Sequence, residues 1–212
     1  SFARSELPPR RSASDFDVRH AASAALGYDL PALNFSSLSR TLSRGWSLDS
    51  IFRARTAAPV NVFVGRTLLS GELIELSSPF VRPGVPLVLE DPAAPGGRRI
   101  NREAFEPLST QAGMPLERNS LRGFGMWQAD VSLRRRLTVT ERAKLQLRVD
   151  IFNVFNHPNF GDPVADLGSG LFGQSVQMLG ASLGSGGVNG GLSPVYQFGG
   201  PRAAQLVVRL EF

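Results

Sequence analysis

The chain has 212 residues, a net charge of +5, no cysteine, 42% hydrophobic residues and only 19% charged ones. The lack of cysteine excludes disulfide scaffolds, thiolate metal sites and cysteine nucleophiles together. No run of about eighteen apolar residues is present, so no segment reads as a membrane-spanning helix, and the first residues lack the apolar core of a secretory signal. The chain opens on Ser1 rather than methionine and is expected to be a fragment or a processed product.

Every basic residue except Lys144 is an arginine. Such a composition invites a nucleic-acid reading, but the arginines are scattered singly apart from Arg10 with Arg11, Arg98 with Arg99, and Arg134 to Arg136. No nucleic-acid partner is expected. His20 and His157 stand far apart without a carboxylate or second histidine at ligand spacing. No catalytic or metal-binding constellation follows, and neither cofactor nor enzymatic activity is expected.

Period-two alternation marks a strand whose two faces meet different surroundings. Residues 18–30 give the first such segment, with Val18, His20, Ala22, Ala24, Leu26, Tyr28 and Leu30 on one face. A moderate connection, 31–44, leads to the second, where Trp46, Leu48, Phe52 and Ala54 alternate with Ser47, Asp49, Arg53 and Arg55, and Ile51 sits among the polar residues. Residues 58–126 then form a very long connection, within which 60–64 and 85–89 are short apolar runs suited to small strands or hairpin extensions. The third segment places Trp127, Ala129, Val131, Leu133, Leu137 and Val139 opposite Gln128, Asp130, Ser132, Arg134, Arg136 and Thr138, with Arg135 as the one charge on the apolar side. A tight turn, 140–143, precedes the fourth, in which Leu145, Leu147, Val149, Ile151 and Phe155 oppose Lys144, Gln146, Arg148 and Asp150. A loop rich in Gly, Ser, Asn and Pro, 156–202, leads to the fifth, with Leu206, Val208, Leu210 and Phe212 on its apolar face.

These segments are about ten to thirteen residues long, against about five or six for strands of soluble domains. A strand tilted about 45° needs about nine to eleven residues to cross the hydrocarbon of a bilayer. In an antiparallel meander the two longest connections fall at one end and the shorter ones at the other, the asymmetry of outer-membrane barrels with their short periplasmic turns and long extracellular loops. The fold expected is therefore all-β: a meander of about five long strands forming part of a transmembrane barrel in the bacterial outer membrane, with extracellular loops at about 58–126 and 156–202. Five strands cannot close a barrel, and an open edge in lipid leaves backbone groups unpaired at several kcal/mol each. Two alternatives remain: a secreted, carbohydrate-binding β-sandwich, and a non-transporting structural or adhesion barrel. Gly168-Ser-Gly-Leu-Phe-Gly173 has the spacing of a dinucleotide fingerprint but follows no βαβ pattern.

Four blocks resemble a known family. Leu145-Gln-Leu-Arg-Val-Asp-Ile-Phe-Asn-Val-Phe-Asn-His-Pro-Asn-Phe-Gly161 looks like the penultimate-strand motif of the Oar-like TonB-dependent receptors. Asn119-Ser-Leu-Arg-Gly-Phe-Gly-Met-Trp-Gln-Ala-Asp-Val-Ser-Leu133, the Gly45-Trp strand and the terminal Phe212 resemble further blocks of that family in the same order. The resemblance implies a C-terminal portion, residues 1–212, of a barrel with about 22 strands when complete, whose plug and TonB-contacting segment are not found in this sequence. It implies as partners outer-membrane lipid, the remaining strands and plug, the TonB complex through the missing N-terminal part, and the barrel-assembly machinery, which would read Phe212, Leu210 and Val208 as its signal. The function implied is a barrel segment supplying wall and ligand loops for uptake of a substrate.

The remaining site expectations follow from position. Leu145, Leu147, Val149 and Ile151 are expected to face lipid. Trp46, Trp127 and Tyr28, near strand ends, suit the membrane interface, and form one girdle only if they share a depth. Arg135 is expected to snorkel to anionic head groups, unless a bulge turns it inward. Asn153, Asn156, His157 and Asn159 are candidate contacts at the extracellular mouth, although Asn and Pro at that point also suit a strand stop. The Asp, Arg and Gln side chains on the inner face suit a salt-bridge and hydrogen-bond lining against a plug.

Overall fold

Long alternating segments whose β-branched and aromatic residues favour extended backbone pair with their sequence neighbours. In the computed structural model, which describes residues 12–33, 35–69, 72–77, 79–106, 114–182 and 198–212, five strands make one antiparallel sheet. They are β1 (Ala21–Asp29), β2 (Trp46–Arg55), β3 (Met126–Thr138), β4 (Lys144–Phe152) and β5 (Ala203–Glu211), in the spatial order of the sequence. The expected meander is thus present. Its register runs without interruption from Met126 to Arg135 against β2 and from Val131 to Thr138 against β4, so no bulge turns Arg135 to the other face.

Several features differ from the sequence reading: β1 spans Ala21–Asp29 rather than 18–30, and β3 and β5 each begin and end one residue earlier. The fourth strand stops at Phe152 rather than Phe155, because Asn153 adopts a left-handed backbone with φ 50°. The moderate connection between β1 and β2 holds a helix, α1 (Ser37–Ser43), opened by a capping box in which Ser36 and Ser39 bond each other's backbone N–H. Gly45, at φ +80°, turns the chain from α1 into β2, and a Cβ there would overlap the Arg136 carbonyl. The fold therefore requires glycine at this close approach.

The chain divides into two compact units, one containing the five-stranded sheet within residues 19–57, 124–161 and 177–212. The other comprises 58–123, 162–176 and the described residues up to 18. What reads in sequence as one long loop carries, among the described residues, four small antiparallel ladders: Pro59–Val60 with Leu121–Arg122, Val64–Leu69 with Glu72–Ser77, Phe80–Val81 with Met114–Pro115, and Val88–Glu90 with Arg98–Ile100. They enclose a core of Val60, Val62, Ile100, Ala104, Phe105, Leu116, Leu121 and Phe172. Phe105 and Phe172 meet edge to face, their centroids 5.6 Å apart. Arg102 lies over the Phe172 ring and donates to the carbonyls of Leu167 and Ser169. The glycine-rich run from Gly168 to Gly173 is accordingly a clamped turn. Much of the second expected loop, 183–197, lies outside the described residues, as do 107–113 of the first.

Candidate functional site

Directly opposed residues of an antiparallel pair point to the same side of a sheet, so the register sorts the five strands into two faces. On one face Tyr28, Leu48, Leu133, Val149 and Leu206 form a row across the whole sheet. Leu26, Ser50, Val131, Ile151 and Ala204 form the next row, and Trp46, Arg135, Leu147 and Val208 a third. Leu137, Leu145 and Leu210 end the face on one side; Ala22, Ala54 and Trp127 end it on the other. Leu145, Leu147, Val149 and Ile151 therefore all lie on this apolar face. From Trp127 to Leu137 is a rise of about 26 Å along the membrane normal, at ~3.4 Å per residue and a tilt of about 40°, close to the ~25 Å apolar band of outer-membrane barrels.

Among the described residues no second sheet covers the face. Leu206, Val208 and Leu210 are 69, 62 and 56% exposed, and Phe212 is 97% exposed. A β-sandwich buries this side of its sheet against a second sheet; the exposed row is instead what a lipid-facing wall presents. Val208, Leu210 and Phe212 sit on or just beyond β5, a strand paired by β4 alone among the described residues.

The aromatics mark two depths rather than one. Trp46 opposes Arg135 near one end of β2, while Trp127 opposes Ala54 near the other, a separation of about 27 Å along the strand. Tyr28, opposite Leu48, belongs with Trp46. Around Trp127 gather Phe52, Phe155 and His157, the imidazole 4.2 Å from the indole. Arg135 keeps its place on the apolar face and reaches toward α1 at the end of β2: its guanidinium lies over the Trp46 ring at 5.1 Å and donates to the Thr41 carbonyl at 2.8 Å.

The opposite face is polar, with Gly27, Asp49, Ser132, Asp150 and Gln205 in one row. It lines a hollow of about 390 Å³. Arg148 Nε meets Asp150 at 2.7 Å, Arg53 meets Asp130 at 3.7 Å, and Arg134 meets Asp49 at 3.6 Å. Fixed charges of both signs suit water or a polar occupant and exclude lipid. The sequence placed these residues on one face; Arg148 and Asp150 are two apart on β4, but the Arg53–Asp130 and Arg134–Asp49 pairs depend on cross-strand register and are not visible in it. Among the described residues no group of three or more acidic or histidine side chains could hold a metal ion.

The strand-end motif is built around two buried amides. Asn153 donates to the carbonyls of His157 and Gly200 at 2.8 and 3.0 Å and accepts from the His157 N–H at 3.0 Å, while its own N–H goes to Asp130. Gln128 donates to the same carboxylate at 2.7 Å and accepts from Gly199. Asn159 accepts from the Trp127 N–H at 3.1 Å. Asn153 and Asn159 are each only 1% exposed, so of the four candidate mouth contacts these two hold the turn and the strand end together. His157 is half-buried against Trp127, and Asn156, also left-handed at φ 51°, is exposed.

Comparison with known proteins agrees with this two-faced sheet. A family model described as an outer membrane beta barrel domain matches residues 4–182, which contain β1 to β4. No curated protein and no solved structure matches the chain. With most of its length matched and an apolar band on one side of its sheet, the chain belongs to the outer membrane beta barrel domain family and is a protein of the bacterial outer membrane.

Proposed function

We propose that the chain is a wall segment of a TonB-dependent, Oar-like receptor, contributing strands and outer loops to the uptake of a substrate and performing no chemistry itself. The observation that carries this reading is the open sheet. Among the described residues β1 is paired along one edge by β2 and β5 along one edge by β4, and in lipid an edge left free requires further strands. The connections support a receptor-type wall: β3 and β4 are joined by five residues, whereas 70 residues lie between the paired Arg55 and Met126. The charge-paired hollow is the kind of surface that would abut a plug. In this reading energy comes from an inner-membrane TonB complex acting on that plug, and the barrel-assembly machinery engages β5.

A non-transporting adhesion barrel is the second reading, favoured by the separate core of the inserted unit. The test is to recover the protein from outer membranes with an antibody against this chain and map its peptides. A polypeptide several times larger than 22.9 kDa, with plug peptides upstream, is expected. A large barrel without a plug would overturn transport and leave the adhesion reading; a 22.9-kDa species closing its sheet with other copies would overturn the receptor assignment altogether.

A further inference from the structure

The connection between β1 and β2 is of a kind that water does not explain. Helix α1 has no buried residue, yet Leu38 and Leu42, i and i+4 on one helical face, are 68 and 56% exposed, and Phe35, just before the N-cap Ser36, is 87% exposed. Leu33 is exposed beside them. A seven-residue helix is too short to be stable on propensity alone.

The hydroxyls of Ser36, Ser39, Thr41 and Ser43 are bonded locally. Ser36 and Ser39 cap each other, Thr41 donates to the Ser37 carbonyl at 3.0 Å, Ser43 donates to the Ser39 carbonyl at 2.7 Å, and Ser43 also accepts from the Leu33 N–H at 2.7 Å. The last turn is fixed to the apolar face of the sheet: Trp46 Nε1 donates to the Leu42 carbonyl at 2.8 Å and Arg135 to that of Thr41. Polar groups bonded within the chain are what a lipid boundary demands. The segment 30–45 carries Arg40 and Arg44 and no acidic residue, and Arg135 adds a third cation at its end.

We infer that α1 is an interfacial anchor: Phe35, Leu38 and Leu42 enter the periplasmic leaflet as a continuation of the lipid-facing band, and Arg40 and Arg44 bind the phosphates of its anionic phospholipids. Two observations select this occupant over a protein. The apolar face of α1 is joined to a surface that meets lipid, through Trp46 and Arg135 on that surface. The charge of the segment is of one sign, opposite to that of anionic head groups, whose attraction for each arginine near a surface is about fivefold in affinity at moderate salt. The periplasmic side follows from the short connections at this end of the sheet.

The chain lacks cysteine, so single probes can be placed cleanly. In a cysteine-free form of the complete outer-membrane protein, Leu38→Cys and Ser37→Cys would each be labelled with an environment-sensitive fluorophore and reconstituted into phosphatidylcholine vesicles containing phosphatidylglycerol. The Leu38 probe is expected to emit further to the blue and to be quenched by doxyl lipid, the Ser37 probe to be quenched by aqueous iodide. Doxyl-phosphatidylglycerol should quench the Leu38 probe severalfold better than doxyl-phosphatidylcholine, and Arg40→Gln with Arg44→Gln, or high salt, should abolish the preference while leaving insertion. Iodide access to both probes would overturn the anchor. A Leu38 probe reached by neither quencher would point to a protein partner and also overturn it, and equal quenching by the two lipids would overturn the recognition of anionic phospholipid.

Discussion

The two units of this chain solve opposite problems with similar residues. In the inserted unit Val62, Phe105, Ile100 and Phe172 are buried around a common core, as they are in any water-soluble fold. Among the described residues of the sheet unit the buried hydrophobics are Met126, Ala129 and Leu179, while Leu26, Leu133, Val149, Leu206, Val208 and Leu210 stand exposed along one face. Apolar residues leave water in both cases; the inserted unit supplies its own apolar surroundings, and the sheet takes them from the bilayer. The same leucine-to-polar change must therefore read differently on the two units and in the two solvents.

The largest contrast is expected at Phe172. Phe172→Ala removes the partner of Phe105 and the surface beneath Arg102, and should destabilise the inserted unit by about 3–5 kcal/mol, seen as faster exchange of the Ile100 amide, which is bonded to the Gly173 carbonyl. Phe52→Ala, on the exposed face of the sheet, should leave that amide unchanged. Next comes the sheet itself. Leu206→Arg should lower stability in vesicles by about 2–4 kcal/mol if the row lies near the bilayer midplane, whereas Gln205→Arg, one residue away on the polar face, should shift the urea midpoint little. Equal effects at 205 and 206 would erase the distinction between the faces.

A smaller loss is expected for Asn153→Ala, about 1–3 kcal/mol, since it strips the partner from the His157 N–H and imposes a left-handed φ on alanine. The readout is the temperature at which the barrel loses its compact electrophoretic mobility. The smallest concerns Asp15. The Asn119 hydrogen bond, aided by Arg118, holds its carboxyl below the usual carboxylate range. Its folded pKa lies below the unfolded one, so its contribution is full above the unfolded value and is lost as pH falls through the folded one. Asp15→Asn should flatten the acid limb of the inserted unit's stability below about pH 4 and leave that of the sheet unaltered.

The strands were legible because their alternation is long: Trp46–Arg55 is found with the bounds that its pattern suggests, and β3 and β5 are displaced by a single residue. The inserted unit was legible only in part: the apolar runs 60–64 and 85–89 overlap the strands Pro59–Val60, Val64–Leu69 and Val88–Glu90, but a ladder such as Pro59–Val60 with Leu121–Arg122 is two residues long and too short to display a period. Helix α1 hid for a related reason. Its Ser36 and Ser39 resemble loop residues until their mutual capping is seen, and its apolar face does not follow the strand period that surrounds it. At the strand-end motif, polarity was visible but burial was not: Asn153 and Asn159 read like solvent-facing residues, and only the fold shows that the turn at φ 50° consumes the Asn153 amide.

The base of the inserted unit bears on the order of events in time. Pairing β2 with β3 from an unstructured chain closes a loop of 70 residues between Arg55 and Met126. The Gly123 N–H, however, bonds the Ala58 carbonyl at 2.9 Å, and Pro59–Val60 pairs with Leu121–Arg122 just above it. Once that clasp has formed, the span left to close is as short as a hairpin loop, and the entropic cost of joining the two strands falls by about 2 kcal/mol. The inserted unit thus acts kinetically as a turn, and a chain in which it folds first joins β2 to β3 by a local step, leaving the span between Phe152 and Ala203 as the long closure of the sheet.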